Sequence, residues 1–252
     1  AAKLNTLIDA TNRFNSDNAS FAQFQAEGLA KLKGGFAEGA IANQPHFDRL
    51  QADLEKAKKE GSTFKEVDAE RDNVLNILNE LVPVYKDLTA YDDSKAYMND
   101  GGAKGKELAA KYVAAVEKFD AAYAKFNETL NKVNAEQSKK QIEKLKKDGK
   151  KGYAAAMEST LRLTTLVDNL EKAPQKADKA AVEKELSEIE ALLKSINNDR
   201  GQVLADRYNS VVGDVRQVLA DPSDNNLNNM IEGFNGYIDT YNSTTPDQFD
   251  AK

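Results

Sequence analysis

The chain has no cysteine and a single histidine, His46, in 252 residues. Without cysteine it can form no disulfide, thiol nucleophile or thiolate metal site. One histidine is too few for the usual zinc sets, and its isolation argues against serine–histidine catalysis. His46 follows Pro45 in a weakly patterned stretch and reads as an incidental surface residue. No run approaches the roughly 20 apolar residues that a membrane span requires. The charge balance, 35 basic against 41 acidic residues, lacks the basic excess of a nucleic-acid-binding face. No segment alternates strictly enough to predict a strand.

What remains is helical pattern nearly everywhere. Leu4, Leu7, Ile8 and Phe14 share one face at the start, and Phe21, Phe24 and Leu32 follow, with Gly34-Gly35 as a stop. The pattern weakens over residues 36–62, where Pro45 introduces a short polar helix predicted at 47–60. The next helix carries Val67, Val74, Leu78, Leu81 and Tyr85, with Pro83 inside it as an expected kink. From about Lys104, Leu108, Tyr112, Val116, Phe119, Tyr123, Phe126, Leu130 and Val133 step by threes and fours, close to a heptad seam. Continued to Leu145, that helix would be roughly 60 Å long at about 1.5 Å per residue.

Beyond a break at Asp148-Gly149, Met157, Leu161, Leu163, Leu166 and Leu170 mark another helix closed by Pro174. Val182, Leu186, Ile189, Leu193 and Ile196 form a second seam. Leu204, Tyr208, Val211, Val215 and Val218 form a third. Residues 197–201 are either a turn between them or the middle of one helix whose buried face shifts. Asp221-Pro222-Ser223 reads as a stop and a capped start, and Leu227, Ile231, Phe234, Ile238 and Tyr241 mark the last face. Asn5, Ile8, Asp9 and Asn12 recur with the same spacing as Asn235, Ile238, Asp239 and Asn242. That echo reads as coincidence or as similar polar contacts between terminal helices packed side by side.

Three stretches resemble a known family. They are Leu81-Val82-Pro83-Val84-Tyr85-Lys86-Asp87-Leu88, Tyr91-Asp92-Asp93-Ser94-Lys95-Ala96-Tyr97, and Ala103-Lys104-Gly105-Lys106-Glu107-Leu108. With Asp100 between them and the opening Leu4-Asn5-Thr6-Leu7-Ile8-Asp9-Ala10-Thr11-Asn12, they are similar to the YiiG-like family of bacterial lipoproteins. The match is strongest over residues 80–130. The resemblance implies an exported protein whose precursor carries a signal peptide and a lipid-modified cysteine ahead of this chain. That fits a start at Ala1-Ala2-Lys3 without methionine. The family supplies no activity or catalytic residues to carry over.

The remaining constellations are weak. Gly101-Gly102-Ala103-Lys104-Gly105-Lys106 is one residue short of a phosphate-binding loop, has Glu107 where a hydroxyl should be, and follows no strand. Asp92, Asp93, Asn99 and Asp100, like Asp221, Asp224, Asn225 and Asn226, lack the ligand order of a calcium loop and suit caps and turns. Lys139, Lys140, Lys144, Lys146, Lys147, Lys150 and Lys151 could meet anionic headgroups, although Glu143 and Asp148 interrupt them and a helix C-terminus favours lysine anyway. Tyr85, Tyr91 and Tyr97 converge on the bend that carries the resemblance, beside Asp92, Lys95 and Asp100. Those six residues are the candidate ligand or partner surface, although tyrosine at helical spacing more often packs.

The sequence therefore predicts an all-α, elongated, mainly antiparallel helical bundle with coiled-coil-like helices, one domain over residues 1–252. The expected role is a non-enzymatic scaffold in the bacterial cell envelope, periplasm-facing and lipid-anchored, with an envelope protein as partner and no cofactor, metal or nucleic acid. The alternative is a binding module for a sugar, a peptidoglycan fragment or a cation near residues 85–106.

Overall fold

The computed structural model describes residues 2–19, 21–61 and 64–251. Ala1, at the start read as a processed end, and Ser62, at the end of the weak stretch, lie outside the described residues. The fold is all-α: helix accounts for 84% of it, and no strand occurs among the described residues. The helices group into two compact units, Ala1–Asn134 and Ala135–Lys252.

The first unit holds α1 (Ala2–Ala19), α2 (Ala22–Lys33), α3 (Phe47–Lys59), α4 (Lys65–Asp93), the single turn α5 (Tyr97–Asp100) and most of α6 (Ala103–Lys147). Every residue of the predicted α6 seam from Leu108 to Val133 is buried, because spacings of three and four keep one face of a helix on the core. Rings fill much of the space between elements. Phe119 meets Phe47 at 5.0 Å and Phe14 at 5.8 Å edge-on, and stacks on Tyr123 at 5.1 Å. α1 packs on α3, and α3 on α4. Pro83 lies within an unbroken α4 on its exposed side.

Residues 34–46 form an irregular loop that returns across α2. Gln44, 4% exposed, ties it down: its Nε2 donates to Gln25 O at 2.9 Å, and its Oε1 accepts from the Tyr112 hydroxyl at 3.0 Å. Gly28 of α2 makes this approach possible, since a Cβ there would sit 2.4 Å from Ala40 O. Phe21 and Phe24 differ from their expected place on a buried face. They are 50% and 56% exposed, Phe21 just before α2 and Phe24 in its first turn, while Leu32 of α2 is buried.

The second unit comprises the end of α6, then α7 (Lys151–Lys172), a 3-10 turn (Pro174–Lys176), α8 (Lys179–Lys194), α9 (Asp199–Ala220), α10 (Asp224–Asn242) and the short α11 (Pro246–Phe249). The α8 and α9 seams are buried throughout. Residues 197–201 prove to be a turn and helix start. Asn198 caps α9, accepting from Gly201 N at 3.0 Å. α10 is rotated from its predicted face: Met230 and Tyr237 are fully buried, and Leu227, Phe234, Ile238 and Tyr241 flank them half-buried. The Tyr237 hydroxyl reaches Ser159 Oγ and Thr160 Oγ1 at 3.1 and 3.2 Å. Of the echoed segments, α1 packs on α3 in the first unit, and α10 on α9 and α7 in the second.

Candidate functional site

The bend between α4 and α6 begins with the way α4 ends. Lys95 takes the left-handed conformation (φ 52°), the only non-glycine residue with positive φ among those described. The Ala96 N–H reaches back to Tyr91 O at 3.2 Å and the Lys95 N–H to Asp92 O at 2.9 Å. That is the double closure of a Schellman ending, here made without the usual glycine. The chain turns again at Gly101 and Gly102, both with positive φ, before α6.

Asp100 joins the two turns. Its Oδ1 accepts the Tyr91 hydroxyl at 2.6 Å and Gly102 N–H at 2.9 Å, and its Oδ2 accepts Lys104 N–H at 3.0 Å. These donors, Tyr91 foremost, hold its carboxyl below the usual aspartate range. Burial and the bond to Asp100 raise the Tyr91 hydroxyl. Gly105 lets two rings lie on the helix backbone, since a Cβ there would come within 2.5 Å of Tyr91 and 2.6 Å of Phe36. Phe36 meets Tyr91 edge-on at 5.1 Å and Tyr97 at 5.3 Å. Tyr97 is pushed up to about 12, first by its hydrogen bond with Glu38 and then by burial. Asp92 Oδ2 accepts Gly39 N–H at 2.9 Å, which pins the 34–46 loop to the end of α4.

The structure thus brings Tyr91, Asp92, Tyr97 and Asp100 together. Lys95 is at the same bend, exposed, with its backbone forming the turn. Tyr85 stands apart: its ring packs 6.4 Å from Phe47 and 6.3 Å from Tyr112, and burial raises its hydroxyl. Phe36, Glu38 and Gly39 complete the cluster and were not singled out from sequence. Their stretch has no periodic signal, and their partners lie more than 50 residues away in the chain.

The other sequence candidates fall into supporting roles. His46 is exposed just before α3. Within the lysine run, Lys146 pairs with Glu158 at 2.8 Å and Lys150 with Asp247 at 2.6 Å. Asn226 Nδ2 donates to Asp221 O at 2.8 Å, closing the turn into α10. A groove of about 570 Å³, unmarked by any sequence motif, lies between α7 and α8 over Leu166, Leu170 and Val182. Arg162 borders it, held by both oxygens of Glu185 and by Glu188. Among the described residues no group of three or more histidines and acids is arranged to hold a metal ion, and no helix is long and apolar enough to cross a membrane.

These features define an all-α bundle protein in which a cluster of polar and aromatic side chains closes a bend. The chain belongs to the family described as protein of unknown function (DUF3829), whose model matches residues 1–207. No curated protein and no solved structure matched it.

Proposed function

We propose that this protein is a non-enzymatic interaction protein of the bacterial cell envelope, held at a membrane by a lipid anchor ahead of Ala1 and working through contact with another envelope protein. The address rests on the resemblance of residues 80–130 to YiiG-like lipoproteins. The observation that carries contact over ligand capture is the internal commitment of the bend. Asp100 is spent on one tyrosine and two backbone amides and Asp92 Oδ2 on Gly39, and the one oxygen left over, Asp92 Oδ1, is buried and not open to solvent. A small-ligand site needs convergent polar groups facing a cleft. The exposed rings of Phe21, just before α2, and Phe24, in its first turn, supply apolar contact surface instead.

The test is fractionation of cells expressing the full precursor, followed by photo-crosslinking from positions 24 and 95. A membrane-associated protein giving a discrete cross-linked species at either position supports the reading. Cytosolic fractionation overturns the address. A saturable rise in melting temperature with an envelope sugar, muropeptide or divalent cation, lost in Tyr97→Phe, would replace the contact reading with a binding module.

A further inference from the structure

Residues 245–251 are held in the second unit as a bound peptide is held. Thr245 and Gln248 form a reciprocal capping box, with Thr245 N–H donating to Gln248 Oε1 at 2.8 Å, so the segment is shaped by its own sequence. Phe249, 2% exposed, stacks against Tyr153 of α7 and Tyr241 of α10, with ring centroids 6.1 and 6.0 Å away. The side-chain amide of Asn198 donates to three main-chain carbonyls of the segment: Gln248 at 3.2 Å, Phe249 at 2.9 Å and Ala251 at 3.1 Å.

Its two acids are met as well. Gly152 N–H, in the first turn of α7, donates to Asp250 Oδ1 at 2.7 Å, and Lys150 Nζ meets Asp247 Oδ1 at 2.6 Å. A Cβ on Gly152 would fall 2.0 Å from Phe249 O, so the segment fits only against a glycine. One amide reading the main chain, one ring in an aromatic pocket, and a cation and a helix-start N–H for carboxylates are the devices of peptide recognition.

We infer that the cleft between the start of α7 and the 196–201 turn is a recognition site for a short acidic segment bearing one phenylalanine, and that residues 245–251 fill it in cis as a displaceable ligand of that kind. Asn242 and Ser243, both exposed, end α10 and join it to the segment, with Ser243 N–H on Asp239 O at 2.9 Å and Thr244 N–H on Tyr241 O at 3.2 Å. Attachment through so short a connection gives the internal segment an effective concentration on the order of millimolar. An external segment therefore enters only by binding more tightly or after the internal one is released. This inference stands independently of the envelope address.

The experiment places a protease site at the 243–244 bond of the full chain, cleaves it, and adds a fluorescent peptide of residues 244–251. The cleaved protein is expected to keep its helical circular dichroism and to bind the peptide saturably. Binding should weaken at least tenfold with Phe249→Ala in the peptide or Asn198→Ala in the protein, and be lost in Gly152→Ala. The uncleaved chain should bind at least tenfold more weakly than the cleaved one. Failure of the cleaved protein to take up peptide overturns the inference, as does binding indifferent to Phe249. Loss of helical signal on cleavage overturns it too, because the segment would then be part of the core. Hydrogen exchange on the uncleaved chain gives a second reading. Amides of 247–251 should exchange faster than those of central α9, and exchange only through global unfolding refutes a displaceable segment.

Discussion

Replacing Gly28 with alanine separates local helix preference from tertiary contact, and the structure sets the sign. In α2 an alanine should gain about 1 kcal/mol over glycine, since the unfolded chain loses freedom and the helix loses nothing. Against that, the new Cβ would lie 2.4 Å from Ala40 O and 2.8 Å from Gln44 Nε2. The first of these is backbone, and the second belongs to the amide that bonds Gln25 and Tyr112, so neither moves aside freely. Forcing a methyl into packed space costs about 1–3 kcal/mol, and displacing the Gln44 bonds adds about 1 kcal/mol more. The net expectation is a loss of about 1–3 kcal/mol.

Gly213 of α9 is the control, with nothing within 4 Å of its virtual Cβ. There the propensity gain of about 1 kcal/mol stands alone. Urea unfolding followed by circular dichroism reads both variants. With a slope of about 2 kcal/mol per molar, Gly28→Ala should lower the midpoint by roughly 0.5–1.5 M and Gly213→Ala should raise it by roughly 0.5 M. A Gly28→Ala protein as stable as Gly213→Ala would refute the docking of the 34–46 loop on α2. A destabilised Gly213→Ala would refute the propensity half.

Lys95→Gly should stabilise the first unit by about 1 kcal/mol, since a left-handed non-glycine residue is strained by roughly that amount; a lower urea midpoint would contradict this. Tyr97 should titrate near 12, read as the ultraviolet difference between the parent and Tyr97→Phe, and Glu38→Gln should bring that value down toward the ordinary 10.0. Because folding raises Tyr97 and Tyr123, both to about 12, their contribution to stability is complete below pH 10 and is lost as pH rises from about 10 through 12. A flat urea midpoint across that window would count against both assignments. Leu78→Ala, at a site with no exposed surface, should cost about 2–5 kcal/mol in the same assay, and a loss under 1 kcal/mol would mean that this core is not close-packed.

The seams of α6, α8 and α9 were legible because apolar residues at threes and fours leave one possible buried face. In α10 the stripe is broad, and Met230 and Tyr237 lie seven residues apart down its middle, between Leu227, Phe234 and Ile238. A stripe that wide has no unique centre until α9 and α7 press on it. Phe21 and Phe24 fit the helical period yet face outward, since periodicity says which residues share a face and not whether anything covers it. At the bend, Tyr91, Tyr97, Asp92 and Asp100 were visible as a concentration of polar and aromatic residues beside glycines. Phe36, Glu38 and Gly39 were not, because their contacts depend on how an irregular loop returns, held by a glycine at 28 and an amide at 44.

That amide has a consequence for chemical ageing and for inheritance. Gln44 gives a hydrogen through the nitrogen of its side-chain amide and takes one through the oxygen, both inside the protein. Converting it to glutamate, by hydrolysis of the amide or by a single-base codon change, keeps its size and shape almost unaltered. It also removes the donor that Gln25 O depends on and sets a negative charge among buried groups. A substitution that a similarity table scores as mild would here release the loop that carries Phe36, Glu38 and Gly39, and the bend would lose its cover from a distance.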